Sequence, residues 1–143
     1  MMMDEQDRAL IAALRENART PVAELARRLG ASRTTVQSRL ARLERSGVIA
    51  GYSLKLSEAE EARLIHAFVA MTIEPKQTAA VTAALRRLSG VRRLHSIAGE
   101  FDMIADLEAR SVAEMDALID QIGATDGVER TNSFIVLATK FQR

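Results

Sequence analysis

The sequence contains no cysteine and only two histidines, His66 and His95. The first absence excludes disulfides, thiolate metal sites and cysteine nucleophiles, and the second leaves too few imidazoles for a histidine-rich zinc cage. Long apolar runs are missing too. No stretch reaches the roughly 18 consecutive apolar residues of a membrane span, and the start MMMDEQDRAL has neither the basic opening nor the apolar centre of a signal peptide. The expectation is a cytoplasmic protein with no membrane partner, no metal and no cofactor. Net charge is small as well: 20 Lys/Arg against 19 Asp/Glu leave +1. With 48% hydrophobic and 27% charged residues over 143 positions, the chain has an ordinary globular composition. It is long enough for one good core or two small ones.

What is present is unevenly placed. Residues 1–56 hold ten Lys/Arg against six acids, whereas 57–143 hold ten against thirteen. The basic character therefore belongs to the N-terminal third, as expected when one part of a chain meets a polyanion and the other does not. It is densest in RRLGASRTTVQSRLARLERSG, residues 27–47, with six arginines and a single acid.

Around that stretch the periodicity predicts three helices. Asp4 caps a helix over about 5–16 with Leu10, Ile11 and Leu14 inward, and Asn17 reads as a left-handed stop. Thr20 reads as the cap of a second helix that has Pro21 at its first position, Leu25, Ala26 and Leu29 inward, and Gly30 at its end. Ser32 caps a third, over 33–46, with Val36, Leu40 and Leu43 inward and Gly47 as its stop. From 48 to 56 the pattern alternates, with Tyr52, Leu54 and Leu56 on one face, and predicts a linking strand; Ser57 and Glu60 then suggest a capping box for one helical turn.

A second module begins near Leu64. Its expected elements are a strand at 65–74 ended by Pro75, a helix at 77–89 with Val81, Leu85 and Leu88 inward, and strands at 91–98 and 102–109. A helix follows, opened by Ser111 and Glu114 with Val112, Met115, Leu118, Ile119 and Ile122 inward to Gly123, and a strand runs from 128 to about 139. The order is βαββαβ. G-V-x-R-x-x-S occurs at 90–96 and again at 127–133, each time opening a strand, so the module reads as two βαβ halves of a ferredoxin-like fold. Helices on one side leave the other sheet face open. Because the first strand carries Phe68 and Ala70 opposite Val69 and Met71, that face calls for a partner and a homodimer or larger assembly.

Ala26 before the turn, Gly30 in it and Val36 after it match the packing of a helix-turn-helix. Opposite Val36 and Leu40, the third helix presents Thr34, Ser38, Ala41 and Arg45, flanked by Gln37 and Arg42, a composition that suits the major groove of double-stranded DNA. The candidate DNA contacts are Arg27, Arg28, Ser32, Arg33, Thr34, Thr35, Gln37, Ser38, Arg42 and Arg45. Arg42 and Arg45 are expected to meet phosphates, while Arg39, close to the apolar stripe, is read as bracing the domain.

Asp4 and Asp7 in D-x-x-D, A-R-T-P-V-A-E-L-A at 18–26, S-R-T-T-V-Q-S-R-L-A-R-L-E-R-S-G-V-I-A-G-Y at 32–52 and G-E-F-D-M-I at 99–104, in this order and spacing, resemble the Lrp/AsnC family of bacterial and archaeal regulators along nearly the whole chain. The resemblance implies an α+β protein: a helix-turn-helix domain at 1–47, a linking strand and short turn at 48–63, and a ferredoxin-like sensing and oligomerisation domain at 64–143. It further implies dimers that assemble into octamers and a small amino-acid effector bound near the G-x-x-D turn. That places Gly99, Glu100, Phe101 and Asp102 at the effector site with Thr131 and Ser133 as neighbours. On the residues alone, Gly99 reads as a hairpin turn and Asp102 as a turn cap; His95 reads as a strand or interface residue. Two rival functions remain: a DNA-architectural protein that senses nothing, and a ferredoxin-like enzyme, for which no nucleophile, base and orienting group are visible.

Overall fold

A computed structural model describes residues 2–142. The chain forms two compact units that divide between Lys55 and Leu56.

The first unit is three helices. α1 (Glu5–Glu16) starts at Asp4, whose side chain accepts from the Asp7 amide while the Asp7 side chain accepts from the Asp4 amide, a reciprocal cap that satisfies two otherwise orphaned donors. α2 (Val22–Leu29) ends at Gly30, which adopts φ 61° and ψ 34°. The Ala31 amide bonds back to Ala26 O at 3.0 Å and the Gly30 amide to Arg27 O at 3.3 Å. This is the paired C-terminal pattern that a left-handed glycine allows. α3 (Arg33–Arg45) starts at Ser32, whose hydroxyl accepts from the Thr35 amide. Leu10, Leu14, Leu25, Ala26, Val36 and Leu43 form the core, with Leu29, Leu40 and Ile49 packed on it. Each such Leu or Val contributes about 1.5–3 kcal/mol on full burial.

Three local expectations are corrected. Asn17 is extended (φ −150°), not left-handed; its side chain accepts from the Arg19 amide instead, turning the chain by an Asx bond. Pro21, not Thr20, is the cap of α2, since the Leu25 amide bonds to Pro21 O. The Thr20 hydroxyl donates backwards to Asn17 O. The linking strand is absent among the described residues: 50–57 have no ladder partner, because alternation supplies a face but not the neighbouring edge a strand must bond to.

The second unit follows the predicted order. α4 (Glu58–Glu61) is one turn capped by Ser57. β1 (Ile65–Ile73), α5 (Thr78–Arg86), β2 (Val91–Ser96), β3 (Met103–Ala109), α6 (Val112–Gly123) and β4 (Val128–Ile135) complete it. The antiparallel sheet has the order β2-β3-β1-β4, as the ferredoxin-like reading requires. Ala67, Val69, Met71 and Ile73 on one face of β1 join Val81 and Leu85 of α5 and Met115, Leu118 and Ile122 of α6 in a single core. Both helices thus cover the same side. Val112, read into the inward stripe, is exposed at the first position of α6. α5 stops three residues short of the expected 89. β4 ends at Ile135, opposite Ala67, short of the expected 139, though the Val136 amide still bonds to His66 O at 2.9 Å. On the uncovered side Phe68 pairs with Phe134, both partly exposed, beside Ala70.

Candidate DNA-binding helix and effector turn

The exposed side of α3 carries Thr34, Thr35, Gln37, Ser38 and Arg45. Ser32 and Thr35 are tied at the helix start, hydroxyl to hydroxyl at 2.8 Å. The six arginines of 27–47 then sort by their partners. Arg27 grips Glu24 through two nitrogens at 2.9 and 2.6 Å, and Arg28 reaches the same carboxylate at 3.0 Å and Glu16 at 3.7 Å. Hydrogen bonds from Arg27 and then Arg28 lower the Glu24 carboxyl to about 2. Arg39 bonds to Asp4 at 2.7 Å and to Asp7 at 2.9 Å, and Arg42 to Asp7 at 2.6 Å. Among the described residues Arg33 and Arg45 have no ion-pair partner.

Arg39 is therefore the brace that its place beside the apolar stripe suggested. Asp7 is the residue that sequence reasoning passed over. It lies on the stripe of Leu10 and Leu14 and is fully buried, and a carboxylate at such a position must be paired. That spacing was the available signal. Burial would push its carboxyl up; the bonds from Arg39, the Asp4 amide and Arg42 outweigh burial and hold it below the ordinary value. Beyond α3, the Tyr52 hydroxyl donates to Glu44 at 2.7 Å. Loss of hydration, and then the adjacent Glu44 carboxylate, push that phenol up to about 12.

In the second unit, residues 97–102 connect β2 to β3. Gly99 has φ 134°, where a side chain is strained. Asp102 is held at both its backbone and its side chain: its amide bonds to Met71 O at 2.9 Å, its carbonyl accepts from Ile97, and its carboxylate accepts the Ile73 amide at 2.8 Å. Asp102 is thus a cap of the β1 end, at the irregularity between Thr72 and Ile73 in the β1–β4 register, where the sequence suggested a cap of its own turn. Glu100 pairs with Arg130 at 3.1 Å, and the Arg130 guanidinium lies 5.0 Å from the Phe101 ring centre. The reach from β4 to the turn is thus made by Arg130, a residue not singled out in the sequence. Thr131 and Ser133 stand opposite Met71 and Val69, and the register directs them to the helix-covered side of the sheet. His95 lies in β2 opposite Ile104. Among the described residues no three His, Cys, Asp or Glu side chains gather as a metal cage. No described helix is long and apolar enough to cross a membrane.

Residues 3–44 match the AsnC-type helix-turn-helix domain, and residues 66–143 match the Lrp/AsnC ligand binding domain. A curated relative, the HTH-type transcriptional regulator LrpA of Mycobacterium tuberculosis, is 36% identical over 96% of this chain and 91% of its own length. The solved structure of E. coli AsnC superposes with a TM-score of 0.87 at 27% identity, covering 100% of this chain and 97% of that one. The feast or famine regulatory protein of M. tuberculosis complexed with L-methionine also gives 0.87, at 35% identity over 99% and 96% of the two chains. With a helix-turn-helix unit, a ferredoxin-like unit and matches to both family domains, this chain belongs to the Lrp/AsnC family of transcriptional regulators.

Proposed function

We propose that this regulator reads a pseudo-palindromic DNA site as a homodimer, with α3 of each protomer in the major groove. The observation that carries the reading is the face of α3: Thr34, Gln37 and Ser38 are exposed beside Arg45, whose guanidinium has no acid partner among the described residues. Arg33, at the helix start, likewise has no acid partner among the described residues. Gln37 discriminates base edges, and Ser38 and Arg45 meet phosphate. Arg27 and Arg28, shared with Glu24, flank the groove from α2, and Ser32 and Thr35 approach the backbone at the N-terminus of α3. Dimerisation uses the open sheet face with Phe68 and Phe134, and dimers assemble further to an octamer. The protein acts in the cytoplasm and is not an enzyme.

We also propose a small amino-acid effector at the 99–102 turn, with Gly99, Glu100, Phe101 and Asp102 as its contacts and Thr131 and Ser133 nearby. The L-methionine complex of the related feast or famine regulatory protein supports this class of ligand. A second reading, a DNA-architectural protein without an effector, draws on the turn itself: Asp102 is engaged by Ile73 and Glu100 by Arg130. Calorimetric titration with the standard amino acids decides between them. Heat of binding from at least one, coupled to a change in assembly or DNA affinity, is expected; silence from all of them favours the architectural reading. Footprinting on a duplex selected in vitro for binding tests the first proposal, and protection of a lone half-site at full affinity would refute the dimeric mode.

A further inference from the structure

Asp7 has no solvent contact, yet it is bonded to two guanidiniums that differ in access: Arg39 is 22% exposed and Arg42 is 42% exposed. Both bond to Asp7 Oδ1, while Asp7 Oδ2 accepts the Asp4 amide at 3.2 Å. Asp4, whose carboxylate takes Arg39 at 2.7 Å, completes a set of two acids and two bases. Arg42 commits one nitrogen, Nη2, inward. A guanidinium has five N–H donors in one plane, so most of the group remains for a partner outside.

The surroundings say what that partner is. At about 100° per residue, Arg42 and Ser38 lie within about 40° of each other on α3, on the flank turned toward α1. With Thr34, Thr35, Arg39 and Asp4 they line a groove of about 560 Å³. Its one acid, Asp4, is already held by Arg39 and by the Asp7 amide at 2.8 Å. A hydroxyl beside a guanidinium fixed from behind is the chemistry of a phosphate oxygen.

We propose that Asp7 is a positioning residue for DNA binding: from the core of the first unit it holds Arg42 so that the outward N–H groups, with the Ser38 hydroxyl, grip one backbone phosphate beside the recognition helix. This rests on α3 entering the major groove. Fixing the guanidinium in the free protein removes part of the ordering cost of the contact, and the Asp7 bond need not break when phosphate arrives. The competing role, in which Asp7 withholds Arg42 from DNA, would cost the buried carboxylate its 2.6 Å bond to Arg42 whenever DNA binds and leave it to Arg39 and the Asp4 amide.

The test is the salt dependence of affinity for two duplexes of equal length, one selected in vitro for binding to the parent and one of random sequence. Asp7→Asn keeps the shape but not the charge. It is expected to lose roughly ten-fold in affinity on both duplexes and to lower the slope of log affinity against log salt by about 0.9 per recognition helix engaged. Combined with Arg42→Ala, it should add nothing to the loss from Arg42→Ala alone. An unchanged slope, or tighter binding, overturns the proposal. Should Asp7→Asn not fold, Arg42→Lys replaces it: one ammonium cannot hold Asp7 and phosphate in the same fixed geometry, so affinity should fall about as far as with Arg42→Ala. Parental binding by Arg42→Lys overturns the proposal as well. If neither Arg42→Ala nor Arg45→Ala changes the slope, α3 is not on the DNA, and the underlying reading fails along with the inference.

Discussion

At the scale of single residues, charge alone is a poor guide and partners decide. Of the six arginines in 27–47, four are bound to Glu24 or Asp7, leaving only Arg33 and Arg45 without an acid among the described residues. Arg39 was legible as a brace because its helical angle puts it beside Val36 and Leu40. Asp7 was passed over because it was read as part of a motif and not as a carboxylate on a buried stripe. Its lowered pKa has a consequence for stability. A carboxyl whose folded value lies below its unfolded value near 3.8 stabilises the fold fully above that unfolded value, and the stabilisation is lost as pH falls through the folded one. Thermal melts from neutral pH downward should therefore show an acid limb in the parent that is shallower in Asp7→Asn. The variant should be the less stable protein at neutral pH, and the gap should close in acid. Melting curves that run parallel at every pH would contradict this. On DNA, Gln37→Ala should relax preference at one base position, costing about 1–3 kcal/mol there if the contact is bidentate. Arg45→Ala should weaken selected and random duplexes alike, and a binding selection on each variant separates the two behaviours.

At the scale of elements, the order of helices and strands was legible because periodicity and caps agree; the ends were less so, because they depend on neighbours. β4 stops at Ile135 although the Val136 amide still bonds to His66 O, and among the described residues 50–57 has no ladder partner because alternation cannot create an edge. The repeated G-V-x-R-x-x-S has a steric cause. A Cβ on Gly127 would stand 2.8 Å from Gln77 Cβ and 3.0 Å from Val81 Cγ2, and φ is +93° there; a Cβ on Gly90 would meet Leu118 Cδ2 at 2.5 Å and Glu108 O at 3.0 Å. Both glycines thus let a strand begin tight against a helix or its neighbouring strand. Gly127→Ala is expected to destabilise the second unit by about 1–3 kcal/mol through overpacking, with backbone strain adding to it. Gly123→Ala, with nothing within 4 Å of the added methyl and no positive φ, should cost far less. Chemical denaturation of the two variants measures the difference, and equal losses would show that close approach is not what the repeat records.

At the scale of the whole molecule, the proposed dimer surface and the proposed effector turn both belong to the sheet of the second unit. If the open face with Phe68 and Phe134 is the dimer surface, a charge placed there is buried without a partner in the assembly. Phe68→Asp should then sediment as a monomer while keeping its secondary structure. The effector turn needs a finer instrument, because Asp102 is structural whatever else it does. Removing its carboxylate orphans the Ile73 amide, so Asp102→Ala would weaken the sheet end and lose any effector response for an uninformative reason. Asp102→Asn separates the roles: its carbonyl oxygen still accepts from Ile73, while the charge that would receive an α-ammonium is gone. By linkage, an effector that prefers one assembly shifts the population toward it, and DNA that prefers the same assembly must tighten effector binding by the same factor. Asp102→Asn is therefore expected to melt and sediment like the parent, to bind DNA like the parent without effector, and to show no change in either property when amino acid is added. An Asp102→Asn protein that answers the parent's effector with the parent's coupling would place the effector elsewhere and leave Asp102 as the cap of β1 alone.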